Sequence, residues 1–88
     1  MEGLRGIFRG STALDEKVAG NEALKVKNLD KALIHYNRAI RLCEGAKEQL
    51  ILIDCLKNRA ALHLKREKYP EVIEDCNRYY NIVFILAK

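Results

Sequence analysis

Residues 17–40, KVAGNEALKVKNLDKALIHYNRAI, set Lys17 and Asn21 one helical turn apart. A lysine ammonium carries three N–H donors and a full charge, and an asparagine amide adds two donors more. Such donors suit a group that concentrates acceptors, and the free end of an acidic peptide presents two carboxylates in one place. Charge-assisted hydrogen bonds to that group are shorter and stronger than neutral ones. Taken alone, a Lys–Asn pair at this spacing describes a solvated helix face equally well. The surrounding pattern is what singles it out, because a looser copy follows at residues 58–80, NRAALHLKREKYPEVIEDCNRYY.

Other chemistries are poorly supplied. Ser11 is the chain's one serine, and no Gly-rich phosphate loop follows a strand. His35 and His63 fall on different helices, so a Cys–His nucleophile with Cys55 or Cys76 has little to recommend it. His63 reads as a core-facing or capping residue, and Asp54, Glu74 and Asp75 read as surface charges rather than general acids. The three cysteines, Cys43, Cys55 and Cys76, form no CxxC pair, which argues against a zinc site or a disulfide framework. They read as small buried hydrophobes in a reducing compartment. The expectation is a non-enzymatic chain with no cofactor and no metal.

The formal charge of +4 admits nucleic acid, anionic lipid or an acidic peptide as partner. Lys25, Lys27, Lys31, Arg38 and Arg41 could touch phosphates, and a basic helical nucleic-acid-binding domain is one alternative reading, a scaffold whose groove holds a partner helix the other. These residues occupy several helix faces, however, and the turn lacks the Gly of a helix-turn-helix. A solvated surface without nucleic acid is preferred. No apolar run is long enough to span a membrane, the N-terminus has no signal-peptide run, and the cytosol is the expected compartment.

Eighty-eight residues allow one small domain. Apolar periodicity and the scarcity of Pro indicate an all-α chain of four helices. Residues 1–11, with Gly3, Gly6 and Gly10, are expected to form a flexible tail ahead of a domain at 12–88. Thr12 and Asp15 suggest a capping box. The first helix is expected to reach about Lys27, with an apolar stripe of Ala19, Ala23 and Val26 flanked by Leu14 and Val18. Gly20, mid-helix, implies close approach of a neighbour. Asn28 is the expected left-handed residue of the turn, and Asp30 the cap of the next helix.

The second helix, about 31–44, carries the stripe Ala32, Tyr36, Ala39, Ile40 and Cys43, and Gly45 is expected to end it. The third, about 46–66, sets Leu52, Cys55, Leu56, Ala60 and His63 on one side, widened by Leu50, Ile51 and Ile53. Pro70 suits the first turn of a fourth helix lined by Val72, Ile73, Cys76, Tyr80 and Val83. Residues 81–88 form an apolar extension that calls for a cover or for association with another copy.

The two hairpins, about 13–44 and 46–80, align at a constant offset of forty residues: Gly20 with Ala60, Leu29 with Tyr69, Ala32 with Val72, Tyr36 with Cys76. Internal periods in this range mark helical solenoids, the tetratricopeptide repeat (TPR) having about 34 residues. The excess falls in the connection RLCEGAKEQLILIDCLK. Gly20, Leu29, Ala32, Tyr36 and Ala39 resemble the signature places of that repeat in its co-chaperone form. KVAGNEALK, NLDKALIHYNRAI, NRAALHLK and YPEVIEDC resemble the first and second repeats of chaperone-binding domains. Val72 and Tyr79 depart from the pattern, which has small residues there. The lengthened connection and the NRAA start are similar to the N-terminal repeat domain of UCS-type myosin chaperones.

The resemblance implies a fold of antiparallel helical hairpins and a two-carboxylate clamp. Such clamps grip the acidic C-terminal Glu-Glu-Val-Asp tail of cytosolic heat-shock chaperones of the 70 and 90 classes. It assigns the first-repeat Lys and Asn to Lys17 and Asn21 and the second-repeat Asn to Asn58. Leu24 and Ala61, one turn further on, would line the groove, and myosin would be the client of a full-length UCS-type protein. The family's remaining clamp residues, a Lys and an Arg, come from a third repeat without counterpart in these 88 residues. The expectation is a solenoid truncated before that repeat, with an incomplete clamp, weak binding and low stability.

Overall fold

The computed structural model describes residues 11–46 and 48–88. The tail expected at 1–11 lies, but for Ser11, outside the described residues. Four helices follow: α1 (Ala13–Lys25), α2 (Leu29–Ala46), α3 (Gln49–Lys65) and α4 (Tyr69–Ala87). Among the described residues there is no strand. Each helix packs on the next in sequence, and α1 also touches α3. The result is two antiparallel helical hairpins laid side by side in a TPR-like, all-α arrangement.

Local chemistry sets the helix ends. Thr12 Oγ1 accepts from the Asp15 backbone N–H at 3.1 Å, and Asp15 Oδ2 accepts from the Thr12 N–H at 3.2 Å. This is the expected capping box, and it satisfies two donors that a helix start otherwise leaves open. Both hairpin turns use one design. The Lys27 N–H donates to Leu24 O at 2.9 Å and the Asn28 N–H to Ala23 O at 2.9 Å. Forty residues later the Glu67 N–H donates to Leu64 O at 3.0 Å and the Lys68 N–H to His63 O at 2.9 Å. A six-to-one bond of this kind requires one residue in left-handed backbone just past the helix. Lys27 (φ 62°) and Glu67 (φ 59°) take that place.

The turn expectation is therefore corrected by one or two positions. Lys27, not Asn28, is left-handed, and Asn28, not Asp30, caps α2 by accepting from the Lys31 N–H at 3.2 Å. Gly45 does not end α2, which runs on to Ala46. A Cβ added at Gly45 would meet nothing within 4 Å. Pro70 sits in the first turn of α4 as expected.

The core forms two clusters. Ala13, Ala39, Ile40, Cys43, Leu52, Cys55 and Leu56 make the larger one, with Ile51, Tyr79 and Ile82 packed against it. Ala23, Ala32, Tyr36 and Leu62 make the other. The whole expected α2 stripe is buried. Along α1 the buried residues are Ala13, Glu16, Gly20 and Ala23; of the expected stripe Ala23 is buried and Ala19 partly so, while Val26 and the flanking Leu14 and Val18 are exposed. The helix meets α2 through Glu16, paired with His35, and through Gly20, set against Tyr36, rather than along its most apolar line. At Gly20 a Cβ would lie 2.7 Å from Tyr36 Cε1 and 2.8 Å from Cδ1, so the ring of α2 occupies the space a side chain would need.

On α3 the expected face is buried together with Leu62, and His63 is partly buried, but Leu50 is exposed. On α4 the expected lining fails in part: Ile73, Cys76 and Tyr80 are exposed, Val72 and Val83 half-buried, and the one buried residue is Asp75. Helix α4 has a neighbour in α3 on one side, and its richest apolar stripe faces away from it. Cys43 and Cys55 are buried, whereas Cys76 is exposed. No described helix is long and apolar enough to cross a membrane.

A candidate carboxylate-binding site

The site begins with Gly20. Because this residue has no side chain, the Tyr36 ring passes against α1 and its hydroxyl reaches Asn21, donating to Oδ1 at 2.6 Å. Asn58 Nδ2, from α3, donates to the same Oδ1 at 3.1 Å. Asn21 of α1 and Asn58 of α3 are thus joined over a buried tyrosine of α2. Tyr36 has its hydroxyl pKa raised by burial, partly opposed by hydrogen bonding with Asn58.

This network has a chemical direction. The Asn21 acceptor already takes two donors, so Asn21 offers a ligand its two amide N–H donors. Asn58 retains one N–H beyond the one it gives to Asn21. Lys17, one turn before Asn21, has a largely sheltered side chain, and its Nζ donates to Asp54 Oδ2 on α3 at 3.1 Å. Donors thus outnumber free acceptors around Asn21 and Asn58, an arrangement suited to a carboxylate or carbonyl.

Lys17 and Asn21 therefore lie on one helix, and a hydrogen bond joins Asn21 to Asn58. Leu24 is partly buried against the cluster of Ala23, Ala32, Tyr36 and Leu62. Ala61 is exposed on α3, three residues after Asn58. The Tyr36–Asn21 bond was not foreseen, since Tyr36 read as part of an apolar stripe and of the repeat signature, with no partner for its hydroxyl. Asp54 was read as a surface charge, and its partner lies 37 residues away. Residue spacing within one helix carries no signal for such a pair.

Asp75, unlike the half-exposed Asp54, is not a surface charge. It is 1% exposed and takes both arms of Arg59, from Nε at 2.9 Å and from Nη2 at 2.6 Å. Arg59 Nη1 donates in addition to Asn37 Oδ1 at 2.8 Å, so one guanidinium ties α2, α3 and α4. The hydrogen bonds to Asp75 raise the Arg59 pKa further despite burial. His63 Nε2 lies 4.0 Å from Asp75 Oδ2, and its Nδ1 is buried without a partner among the described residues.

The equivalent place in the first hairpin holds His35, whose Nδ1 is 2.7 Å from Glu16 Oε1. Burial alone would raise the Glu16 carboxyl pKa, but the hydrogen bond with His35, helped by other neighbours, leaves it below the usual value. For Cys55, burial pushes the thiol up to about 12, so it stays protonated and is no nucleophile at neutral pH.

No protein-family model matches the chain, and no solved structure matches it. Curated relatives do. The chain is 40% identical over 68 residues to the Hsp70-Hsp90 organizing protein of Triticum aestivum, an alignment covering 77% of this chain and 11% of that protein. It is 42% identical over 66 residues to Hsp70-Hsp90 organizing protein 3 of Arabidopsis thaliana, covering 75% and 11%. Stress-induced-phosphoprotein 1 of Caenorhabditis elegans is 33% identical over 66 residues, covering 75% and 19%. The chain thus spans about a tenth to a fifth of the length of these relatives. None of the three is named as a UCS-type myosin chaperone. Hairpin architecture and these likenesses together identify the chain as a TPR-like domain, similar to a short segment of the Hsp70-Hsp90 organizing proteins.

Proposed function

We propose that the chain is a protein-interaction module of a cytosolic co-chaperone. On this reading it binds the acidic Glu-Glu-Val-Asp C-terminus of Hsp70- and Hsp90-class chaperones through Lys17, Asn21 and Asn58. The observation that carries the reading is the shared acceptor at Asn21 Oδ1, which commits the acceptor inward and leaves amide donors of two helices for a ligand. Leu24 and Ala61 would border the valine side chain. The names of the relatives support chaperones of these two classes as partners. Myosin as a client rests on the lengthened connection and the Asn58–Ala61 segment alone and is the weaker part of the proposal. The exposed Lys25, Lys27, Lys31, Arg38 and Arg41 are read as solvated surface.

These 88 residues hold three of the clamp's donors. Hydrogen bonds to charged groups contribute about 1.5–3 kcal/mol each. Without the Lys and Arg of a third repeat, roughly 3–6 kcal/mol is missing, which takes a clamp of about 1 μM to between roughly 0.2 mM and tens of millimolar. Titration of the isolated chain with a Glu-Glu-Val-Asp peptide is expected to give binding of that order, lost in Lys17→Ala and absent for a C-terminally amidated peptide ending in Asn. Micromolar binding would overturn the incomplete clamp. Equal binding of the free and the amidated peptides would overturn recognition of carboxylates, and salt-sensitive retention of duplex DNA would favour the nucleic-acid reading.

A further inference from the structure

The cation that the proposed clamp depends on is already in use. Lys17 Nζ lies 3.1 Å from Asp54 Oδ2, and the lysine side chain is 19% exposed against 49% for the aspartate. The two residues come from α1 and α3, the same helices that supply Asn21 and Asn58. Lys17 is held by its sunken stem, while the Asp54 carboxylate stands half in solvent. Of the two, Asp54 is the one free to move.

We infer that Asp54 is an internal competitor: its carboxylate occupies Lys17 as a ligand carboxylate would, and it sets the affinity and charge selectivity of the site. The inference rests on the proposed carboxylate-binding role of Lys17. Three N–H donors on Nζ allow Lys17 to hold Asp54 and a ligand carboxylate together, but only by placing two like charges a few ångströms apart. At that distance the repulsion is appreciable even in water and larger near protein. An incoming carboxylate therefore either displaces Asp54 into solvent or binds against its field. A neutral amide end meets no such charge conflict. Lys17 and Asp54 together carry no net charge, so the first cation of the clamp is masked until a ligand unmasks it.

The contact also gives Lys17 a fixed position. An unpaired lysine would sample many rotamers and lose that freedom on binding. Asp54 restrains it in advance, and the competition works against this benefit. Because Asp54 is half-exposed, swinging it aside is a modest cost, of the order found for partly exposed ion pairs. Its removal should thus shift affinity measurably and leave the fold intact.

The test is a titration, followed by two-dimensional amide NMR, of the full chain and its Asp54→Asn, Asp54→Glu, Lys17→Ala and doubly substituted Lys17→Ala/Asp54→Asn forms. The ligands are a peptide ending Glu-Val-Asp with a free C-terminus and the same peptide ending in Asn-amide. Asp54→Asn is expected to bind the free-carboxylate peptide about two- to fivefold tighter and the amide peptide unchanged. Asp54→Glu should return to the original affinity, and the gain should vanish when Lys17 is Ala. The amide spectra report in the same samples whether each variant is folded. Binding by the unaltered chain with no gain in Asp54→Asn overturns the competition alone. A gain that survives in the double variant also overturns it, because the effect would then be general charge rather than occupancy of Lys17. No binding by any form overturns the competition and the proposed function together.

Discussion

The two hairpins share a register and a turn, yet they fill their interiors differently. In the first, Tyr36, Ile40 and Cys43 of α2 are 0%, 4% and 0% exposed, because α1 covers one side and α3 the other. Forty residues on, Cys76 is exposed, Tyr80 is 71% exposed and Val83 is half-buried. Between α3 and α4 a groove of about 330 Å³ stays open, lined by Leu56, Ala60, Cys76 and Tyr79 among others. The first hairpin is closed by an aromatic ring against a glycine, the second by a buried ion pair. A repeat thus fixes where side chains point, while the next helix along decides whether they are buried.

The sharpest way to break the comparison is to remove the ion pair. Asp75→Ala leaves the Arg59 guanidinium sheltered without its carboxylate, a change that typically destabilises by about 3–5 kcal/mol. That is comparable to the whole stability expected of a small domain. Urea denaturation followed by circular dichroism should find Asp75→Ala largely unfolded at 25 °C. The Arg78–Glu44 pair also ties α4 to α2, but both partners are well exposed. Glu44→Ala should cost no more than about 1 kcal/mol. Equal effects of the two substitutions would mean that burial of Asp75 does not govern the second hairpin.

Gly20 tests the first hairpin. An alanine there must displace a ring that is fully buried and held by the Asn21 bond, so Gly20→Ala is expected to cost about 1–3 kcal/mol as overpacking. The better helix propensity of Ala recovers up to about 1 kcal/mol of this. Gly45 provides the control, since its added Cβ meets nothing. Gly45→Ala should be neutral or stabilising by up to about 1 kcal/mol. Thermal melts of the two variants read the difference directly. Because the same ring positions Asn21, Gly20→Ala should also weaken peptide binding, whereas Gly45→Ala should leave it alone.

How much of this was legible depends on what surrounds each residue. The α2 stripe could be read from periodicity because helices lie on both of its sides, so apolar spacing and burial coincide. Gly20 could be read because a helix-interior glycine needs a reason, and the Tyr36 ring supplies it. Lys17, Asn21 and Asn58 were grouped by their resemblance to a motif and stand as the proposed clamp, to which the structure adds the Asn21–Asn58 bond and the tyrosine beneath it. The α4 stripe was equally plain as an apolar line, but its burial depended on a helix that is not there among the described residues. Asp54 and Asp75 were invisible for a related reason. A sequence gives the charge, whereas the partner sits on another helix, 37 residues from Asp54 and 16 residues from Asp75. Of the buried α1 line, Gly20 and Ala23 were expected, whereas Ala13 and Glu16 were missed because a charged residue paired with His35 on another helix gives no apolar signal, and Leu14 and Val18 drew attention to the wrong face.

The smallest expected effect concerns what the hairpins share. Lys27 and Glu67 hold left-handed backbone without being glycine, which costs an L-residue roughly 1–2 kcal/mol. The turn accepts this cost because the six-to-one bonds to Ala23 O and His63 O require that geometry. Replacing either residue by Gly removes the clash with the Cβ but enlarges the freedom of the unfolded chain, and the two effects partly cancel. Lys27→Gly and Glu67→Gly should therefore each stabilise by no more than about 1 kcal/mol. The two gains should match within error and add in the double variant, since the sites share no partner. Paired urea titrations measure this. A gain at one turn and a loss at the other would show that the hairpins differ already in their turns, and not only in the helix that covers them.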